Sequence, residues 1–292
     1  MEEKIFDSEF LKKLQTISLS AKIAMNEGAG GSRKSKAKGS SVEFSDYREY
    51  AHGDDFRRID WNAYGRFDKL FVKLFMEERE ALVNIFIDSS KSMDFGEPKK
   101  SITALRLAAI FSFLSLNNMD RVCINGIKGN FLNQHPTLTG KAMFNRCISL
   151  LQDIDFSGTA DINTSIKKKE LHSRGICIII SDFFSESGIE EAVKYLRYKN
   201  QEVILVQILS EEELMPELQG QLRLVDSETL VGRSVAVTSS ILKEYNKRLD
   251  MFLGNIKAVS SKFGAAYVQI CSKDSIEKVI FEDLARAGAI TF

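Results

Sequence analysis

Ala81-Leu82-Val83-Asn84-Ile85-Phe86-Ile87 runs directly into Asp88-Ser89-Ser90-Lys91-Ser92. A short, largely apolar run bounded by a hydroxyl-rich turn reads as a strand buried on both faces, because a half-buried strand would alternate with polar residues. The pattern recurs downstream. A helix is expected at 101–118, a strand at Arg121 to Ile127, a helix at Lys141 to Leu151, and a loop at 153–161 that leads into a polar helix. The β-branched run Ile176-Cys177-Ile178-Ile179-Ile180 then ends at Ser181-Asp182. A helix at 189–199, a strand at 202–209, a hairpin within 222–237, a helix at 240–263, a strand at Ala266 to Cys271 and a last helix from Ser275 complete the series. Apolar strands alternating with helices predict an α/β fold, Rossmann-like, with a parallel central sheet flanked by helices.

Upstream of that domain the texture changes. Apolar residues from Ile5 to Ile23 recur at near-helical spacing and predict an amphipathic helix over 5–25. A Gly/Ser-rich stretch follows, carrying Arg33, Lys34, Lys36 and Lys38 without an acid, and reads as a loop. Residues 42–80 mix charges and aromatics, with a strand suggested by Leu70, Val72 and Leu74. The chain therefore divides into an N-terminal region, 1–80, and an α/β domain, 81–292, in keeping with 292 residues at about 150 per domain.

Composition narrows the function classes. Forty basic side chains against forty acidic ones create no chain-wide field that would draw the protein to nucleic acid, so nucleic acid is not an expected partner. Local binding of nucleic acid or an acidic surface through the four-cation loop is a rival reading, but no interleaved aromatics supply stacking. Cys123, Cys147, Cys177 and Cys271 form no C-x-x-C pair and are expected to be reduced core thiols. The N-terminus lacks a signal-peptide layout, and the longest apolar stretch, 102–116, is interrupted by Arg106 and hydroxyls. A cytoplasmic location without a transmembrane segment is the expectation.

In a sheet of this kind ligands bind beyond the carboxyl ends of strands. One run delivers Asp88-x-Ser90-x-Ser92, another delivers Asp182, and the loop before the 161 helix delivers Gly158-Thr159. Two carboxylates and three hydroxyls make an all-oxygen donor set suited to a hard divalent cation, Mg²⁺ or alternatively Ca²⁺ or Mn²⁺. Thr164 competes with Thr159 for the threonine position, and Ser90 or Ser92 capping the next helix is the bland alternative. His52, His135 and His172 show no ligand spacing.

Asp88-x-Ser90-x-Ser92, Thr159 and Asp182, in that order, resemble the metal-ion-dependent adhesion site of von Willebrand factor A domains. The resemblance implies Ser90, Ser92 and Thr159 in or near the inner shell of the metal, with Asp88 and Asp182 reaching it directly or through water. The segments Glu43 to Tyr50, Gly53 to Tyr64 and Val72 to Glu80 closely resemble the signature of the bacterial "domain of unknown function 58" family, in which such a domain follows directly. That family is commonly associated with MoxR-type AAA+ ATPases. The resemblance thus implies a non-enzymatic adaptor in chaperone-like complex assembly or activation, binding a partner that offers an acidic side chain. Arg48, Tyr50, Asp54, Asp55, Arg57, Asp60 and Trp61 carry no assignable chemistry and read as a structural network or as a partner-docking surface.

The enzyme alternative is a Mg²⁺-dependent phosphatase of the haloacid-dehalogenase type, with Asp88 as nucleophile. Its general acid, two positions on, is here Ser90, which cannot protonate a leaving group at neutral pH. No G-x-x-x-x-G-K-[ST] loop for ATP and no G-x-S-x-G elbow for a serine hydrolase occurs.

Overall fold

The computed structural model describes residues 5–17, 22–23, 42–77, 80–185, 187–228 and 231–291. In chain order these form α1 (Ser8–Ile17), β1 (Lys22–Ile23), β2 (Val42–Glu49), α2 (Trp61–Phe67), β3 (Phe71–Glu77), β4 (Leu82–Asp88), α3 (Lys100–Asn117) and β5 (Arg121–Lys128). There follow β6 (Phe131–Gln134), β7 (Leu138–Thr139), α4 (Phe144–Gln152), α5 (Ile162–Lys167), β8 (Gly175–Ser181), α6 (Glu190–Tyr198), β9 (Gln201–Leu209) and α7 (Glu211–Leu214). The chain closes with β10 (Gly220–Val225), β11 (Gly232–Val237), α8 (Ser239–Phe263), β12 (Ala266–Cys271), α9 (Ile276–Lys278) with a π turn at Val279–Leu284, and β13 (Ile290–Thr291).

The central sheet has the order β12-β9-β8-β4-β5-β6, with β7 pairing β5 as well. β12, β9, β8, β4 and β5 run parallel, as expected. β6 and β7 add an antiparallel edge that the sequence pattern does not announce, since both return along β5. Their residues are mostly exposed, so they lack the continuous apolar run that identifies a buried strand, and a hairpin return needs no covering helix.

Strand residues alternate between two cores, as the period of two requires. Val83, Ile85, Ile87, Ile178 and Ile180 enter one core, and Phe86, Cys177 and Ile179 the other. Helix α3 is buried around most of its circumference, which explains its uniformly apolar character. Phe6, Phe10 and Leu14 of the α1 region join the same core, and Arg106 of α3 donates from Nε to the Ile5 carbonyl at 2.9 Å. Among the described residues no helix is long and apolar enough to cross a membrane.

Two compact units emerge, one of residues 26–80 and one of 1–25 with 81–292. Helix α1 thus belongs with the larger unit, because its apolar stripe completes that core. Of the predicted 5–25 helix, Ser8–Ile17 is helical among the described residues, whereas Lys22–Ile23 pairs as a strand with Ile290–Thr291. Periodicity alone could not anticipate a strand whose partner lies at the far end of the chain. In the smaller unit β2 and β3 form an antiparallel pair with a register shift between Phe44 and Asp46. The basic loop with Arg33, Lys34, Lys36 and Lys38 lies outside the described residues.

Candidate metal site at the sheet switch point

From β4 the chain crosses to β5 on one side, then returns to β8 on the other. Connections leaving adjacent strands in opposite directions open a crevice at their carboxyl ends. Asp88 ends β4 and Asp182 follows β8, so the topology delivers both to that crevice. Both side chains are buried.

Ser181, the last residue of β8, joins the two strand ends. Its hydroxyl donates to Asp88 Oδ2 at 2.6 Å and accepts from the Phe183 amide at 2.8 Å. Asp88 Oδ1 accepts the Ser90 amide at 2.9 Å. Phe183 holds this turn with φ of 61° while its ring is buried in the core, a left-handed conformation that costs about 1–2 kcal/mol in a non-glycine residue. Core packing of the ring holds the strained loop shut. Asp182 Oδ1 accepts the Phe184 amide at 3.1 Å, and its carbonyl accepts from the Gln207 side chain at 2.9 Å.

Ser90 precedes a 3₁₀ turn at Lys91–Asp94, yet its side chain makes no capping bond. Its Oγ meets Ser92 Oγ at 2.9 Å, so the capping alternative is not what these hydroxyls do. The loop bearing Thr159 is laced to the same turn: the Ser157 amide donates to the Ser89 carbonyl, and the Lys91 amide to the Gly158 carbonyl, both at 2.9 Å. Gly158 adopts φ of 71°, which explains a glycine there. Thr159 is exposed. Thr164 is otherwise engaged, donating from its hydroxyl to Asp161 Oδ2 at 2.6 Å at the start of α5.

Besides Ser181, the sequence reading does not single out Lys100, Glu213 or Glu228. Lys100, fully buried at the start of α3, places Nζ 2.7 Å from Asp182 Oδ2 and 2.5 Å from Glu213 Oε1, between the rings of Phe95 and Phe184. Glu213 sits in α7, fixed by a reciprocal capping box with Ser210. Glu228, between β10 and β11, is pushed up by burial first, with the Asp88 and Asp182 charges adding to the rise and the Ser92 hydroxyl opposing it.

The electrostatics follow from these placements. Asp182 and Glu213 share the Lys100 ammonium, and Asp88, whose charge interacts with that of Asp182, has no cation of its own, so three carboxylates stand against one positive charge and two negative charges are unmatched. Burial, and next the Asp182 charge, push the Asp88 carboxyl up to about 6. Burial likewise pushes Glu213 up against the opposing pull of Lys100. Among the described residues no three His, Cys, Asp or Glu side chains form a metal-ligand cluster, so any cation here would depend on hydroxyl donors. Ser90 and Ser92, with Thr159 on the adjoining loop, supply that chemistry beside a deficit of two charges. The residues therefore fit a hard divalent ion.

The second predicted set lies in the smaller unit. Arg48 pairs with Asp54 at 2.7 Å, Asp54 also accepts the Ala51 amide, and Asp55 accepts the Arg57 amide. Asp60 caps α2 through the Asn62 and Ala63 amides while accepting from Tyr47 and pairing with Lys73 at 3.1 Å. Lys73 first, then the Tyr47 hydroxyl and the two amides, hold Asp60 down to about 2 against its desolvation. The Tyr50 amide donates to the Leu70 carbonyl at 2.8 Å. Trp61 is exposed and packs edge-on against Tyr64.

Residues 46–250 match the family model described as "Protein of unknown function DUF58", and the chain belongs to that family. The uncharacterized protein Mb1516 of Mycobacterium bovis and Rv1480 of Mycobacterium tuberculosis are each 24% identical to it over 249 residues, covering 82% of this chain and 78% of theirs. Among solved structures it is similar to BatB from Bacteroides thetaiotaomicron, with TM-score 0.43 and 19% identity over 71% of this chain and 98% of that one. It is also similar to the SpRpn10 VWA domain, with TM-score 0.38 and 13% identity over 70% and 94% of the two chains. These likenesses concern the fold alone.

Proposed function

We propose that this member of the DUF58 family is a cytoplasmic, non-enzymatic adaptor that binds a divalent cation, Mg²⁺ foremost, and through it an acidic side chain of a partner protein. Asp88, Ser90, Ser92, Thr159 and Asp182 would hold the ion. The observation that carries the reading is the meeting of Asp88 and Asp182 at the switch point, beside paired serine hydroxyls and with two negative charges unmatched. Such a deficit is costly in a buried site unless a cation relieves it. When bound, the ion supplies a Lewis-acidic centre for a carboxylate. The chain's own part is to hold hydroxyl oxygens in place: Ser181 fixes Asp88, and Lys100 turns one oxygen of Asp182 away into the core. The partner class we propose is a MoxR-type AAA+ ATPase, by the resemblance of the 43–80 signature.

The test is capture of a cognate MoxR-type ATPase in Mg²⁺ and in EDTA, with Asp88→Ala beside the wild type. Binding that needs both Mg²⁺ and Asp88 is the expected result. Undiminished capture in chelator refutes the metal bridge, and phosphoester turnover abolished by Asp88→Asn refutes the non-enzymatic reading.

A further inference from the structure

The stretch from Phe56 to Phe67 in the smaller unit turns aromatic rings outward. Phe56, Trp61 and Phe67 are 66%, 63% and 67% exposed, and Tyr64 is exposed as well. Large apolar side chains grouped on a surface mark an interaction site, whereas scattered single ones do not. Helix α2 bears three of the four and has no buried residue, and seven residues without packing do not hold a helix in water. Its ends hold it instead. Asp60 caps the first turn, and Asp68 closes the last in a left-handed conformation with φ of 52°. The Asp60 amide donates to the Phe71 carbonyl at 2.8 Å, between the buried Ile59 and Val72 that anchor the segment to β3. The rings meet edge-on, Trp61 with Tyr64 and Phe67 with Phe71, each pair at 6.3 Å between centroids.

Charge in the same stretch is sorted in a similar way. Asp54 is engaged by Arg48 and the Ala51 amide, Asp55 by the Arg57 amide, and Asp60 by Lys73, Tyr47 and two amides. Arg57, Arg58 and Arg66 are exposed, and among the described residues no carboxylate pairs with their guanidinium groups. The set that reads from sequence as network or docking surface thus separates: Arg48, Asp54, Asp55 and Asp60 hold the unit together, while Trp61 and the Arg57 guanidinium stay open to a partner. We infer that residues 56–67 form a docking surface for an acidic protein segment whose carboxylates are interspersed with aromatic or aliphatic side chains. The carboxylates pair with the three arginines, and the apolar groups cover Trp61, Tyr64 and Phe67; binding energy concentrates on such Trp, Tyr and Arg positions. Nucleic acid fits less well, because residues 42–77 carry eight acids against six cations and a phosphate backbone meets net repulsion there. This surface requires no metal, so it stands independently of the metal-site reading.

Trp61 is the single tryptophan of the chain, and its fluorescence therefore reports on this surface alone. The experiment titrates the full chain in EDTA, with excitation beyond tyrosine absorption, against a random copolymer of Glu and Tyr, polyglutamate, a Lys–Tyr copolymer and polyuridylate. The free protein should emit as a water-exposed indole, and the emission should shift to the blue as the Glu–Tyr copolymer covers Trp61, less so at high salt. Arg57→Glu combined with Arg58→Glu should weaken that binding about tenfold and confer binding of the Lys–Tyr copolymer, at an unchanged melting temperature. A reversal of preference is something that a damaged fold does not produce. Free protein whose Trp61 already emits as a buried ring overturns the inference, as do no response to the Glu–Tyr copolymer and an unaltered titration in the double variant. Polyglutamate binding as tightly as the Glu–Tyr copolymer overturns the role of the aromatic face, and tighter binding of polyuridylate overturns the protein partner in favour of nucleic acid.

Discussion

Replacing Lys100 by Met tests the charge balance on which the site depends. Met keeps the apolar stem of the side chain and removes the ammonium that bridges Asp182 and Glu213. Removing one partner of a buried ion pair costs about 3–5 kcal/mol, because the remaining charge is stranded. The lower figure applies here, since the Glu213 side chain retains 16% of its exposure and can turn toward water. At about 2–4 °C per kcal/mol for a domain of this size, the melting temperature in EDTA should fall by roughly 6–12 °C. Saturating Mg²⁺ should then narrow the gap. The variant site carries three unmatched negative charges instead of two, binds the cation more tightly, and gains more from it by linkage. Calorimetric melts of both proteins in EDTA and in Mg²⁺ supply the four values needed. A drop below about 2 °C in EDTA, or an equal Mg²⁺ increment in both proteins, would refute the reasoning.

Two further outcomes follow from the same geometry. Asp88, raised from 3.8 to about 6, binds its proton more tightly folded than unfolded, so in metal-free protein its contribution to stability is complete below about pH 4 and is lost as pH rises through 6. Urea melts across that window should show about 3 kcal/mol of decline in the wild type relative to Asp88→Asn, and parallel profiles would rule the shift out. Thr159→Ala should weaken Mn²⁺ several-fold at unchanged melting temperature, whereas Thr164→Ala should leave Mn²⁺ affinity alone and cost at most about 1 kcal/mol of stability through the weakened cap; the reverse pattern in the same titration would reassign the threonine.

The strand ends were legible because they obey local rules. A run buried on both faces must be apolar, and the first polar residues past it must lie at the rim, so Asp88 and Asp182 could be placed from the sequence. Lys100 could not. It stands beside Lys99, which is half-exposed at its side chain and pairs with Asp94 at 2.7 Å, and no local signal separates the two. What buries Lys100 is the position of α3 beneath the crevice, where Asp182 and Glu213 arrive from 82 and 113 residues away. Ser181 does carry a local signal: it continues the strand into the rim, where a hydroxyl is positioned to bond the neighbouring strand's carboxylate. The antiparallel β6 and β7 failed the periodicity test because exposed edge strands need no apolar face.

Lys100 also sets whether the proposed site can take up an incoming carboxylate. With three carboxylates and no ammonium, a bound divalent ion would leave the crevice negative and an incoming acid would be repelled. With Lys100 present, the ion neutralises the crevice, and one further carboxylate can bind to an electrophilic centre without crossing an opposing field. Selection among partners then falls to the contacts around the acid rather than to the acid itself, which is how a metal with little intrinsic discrimination between carboxylates can serve a specific adaptor.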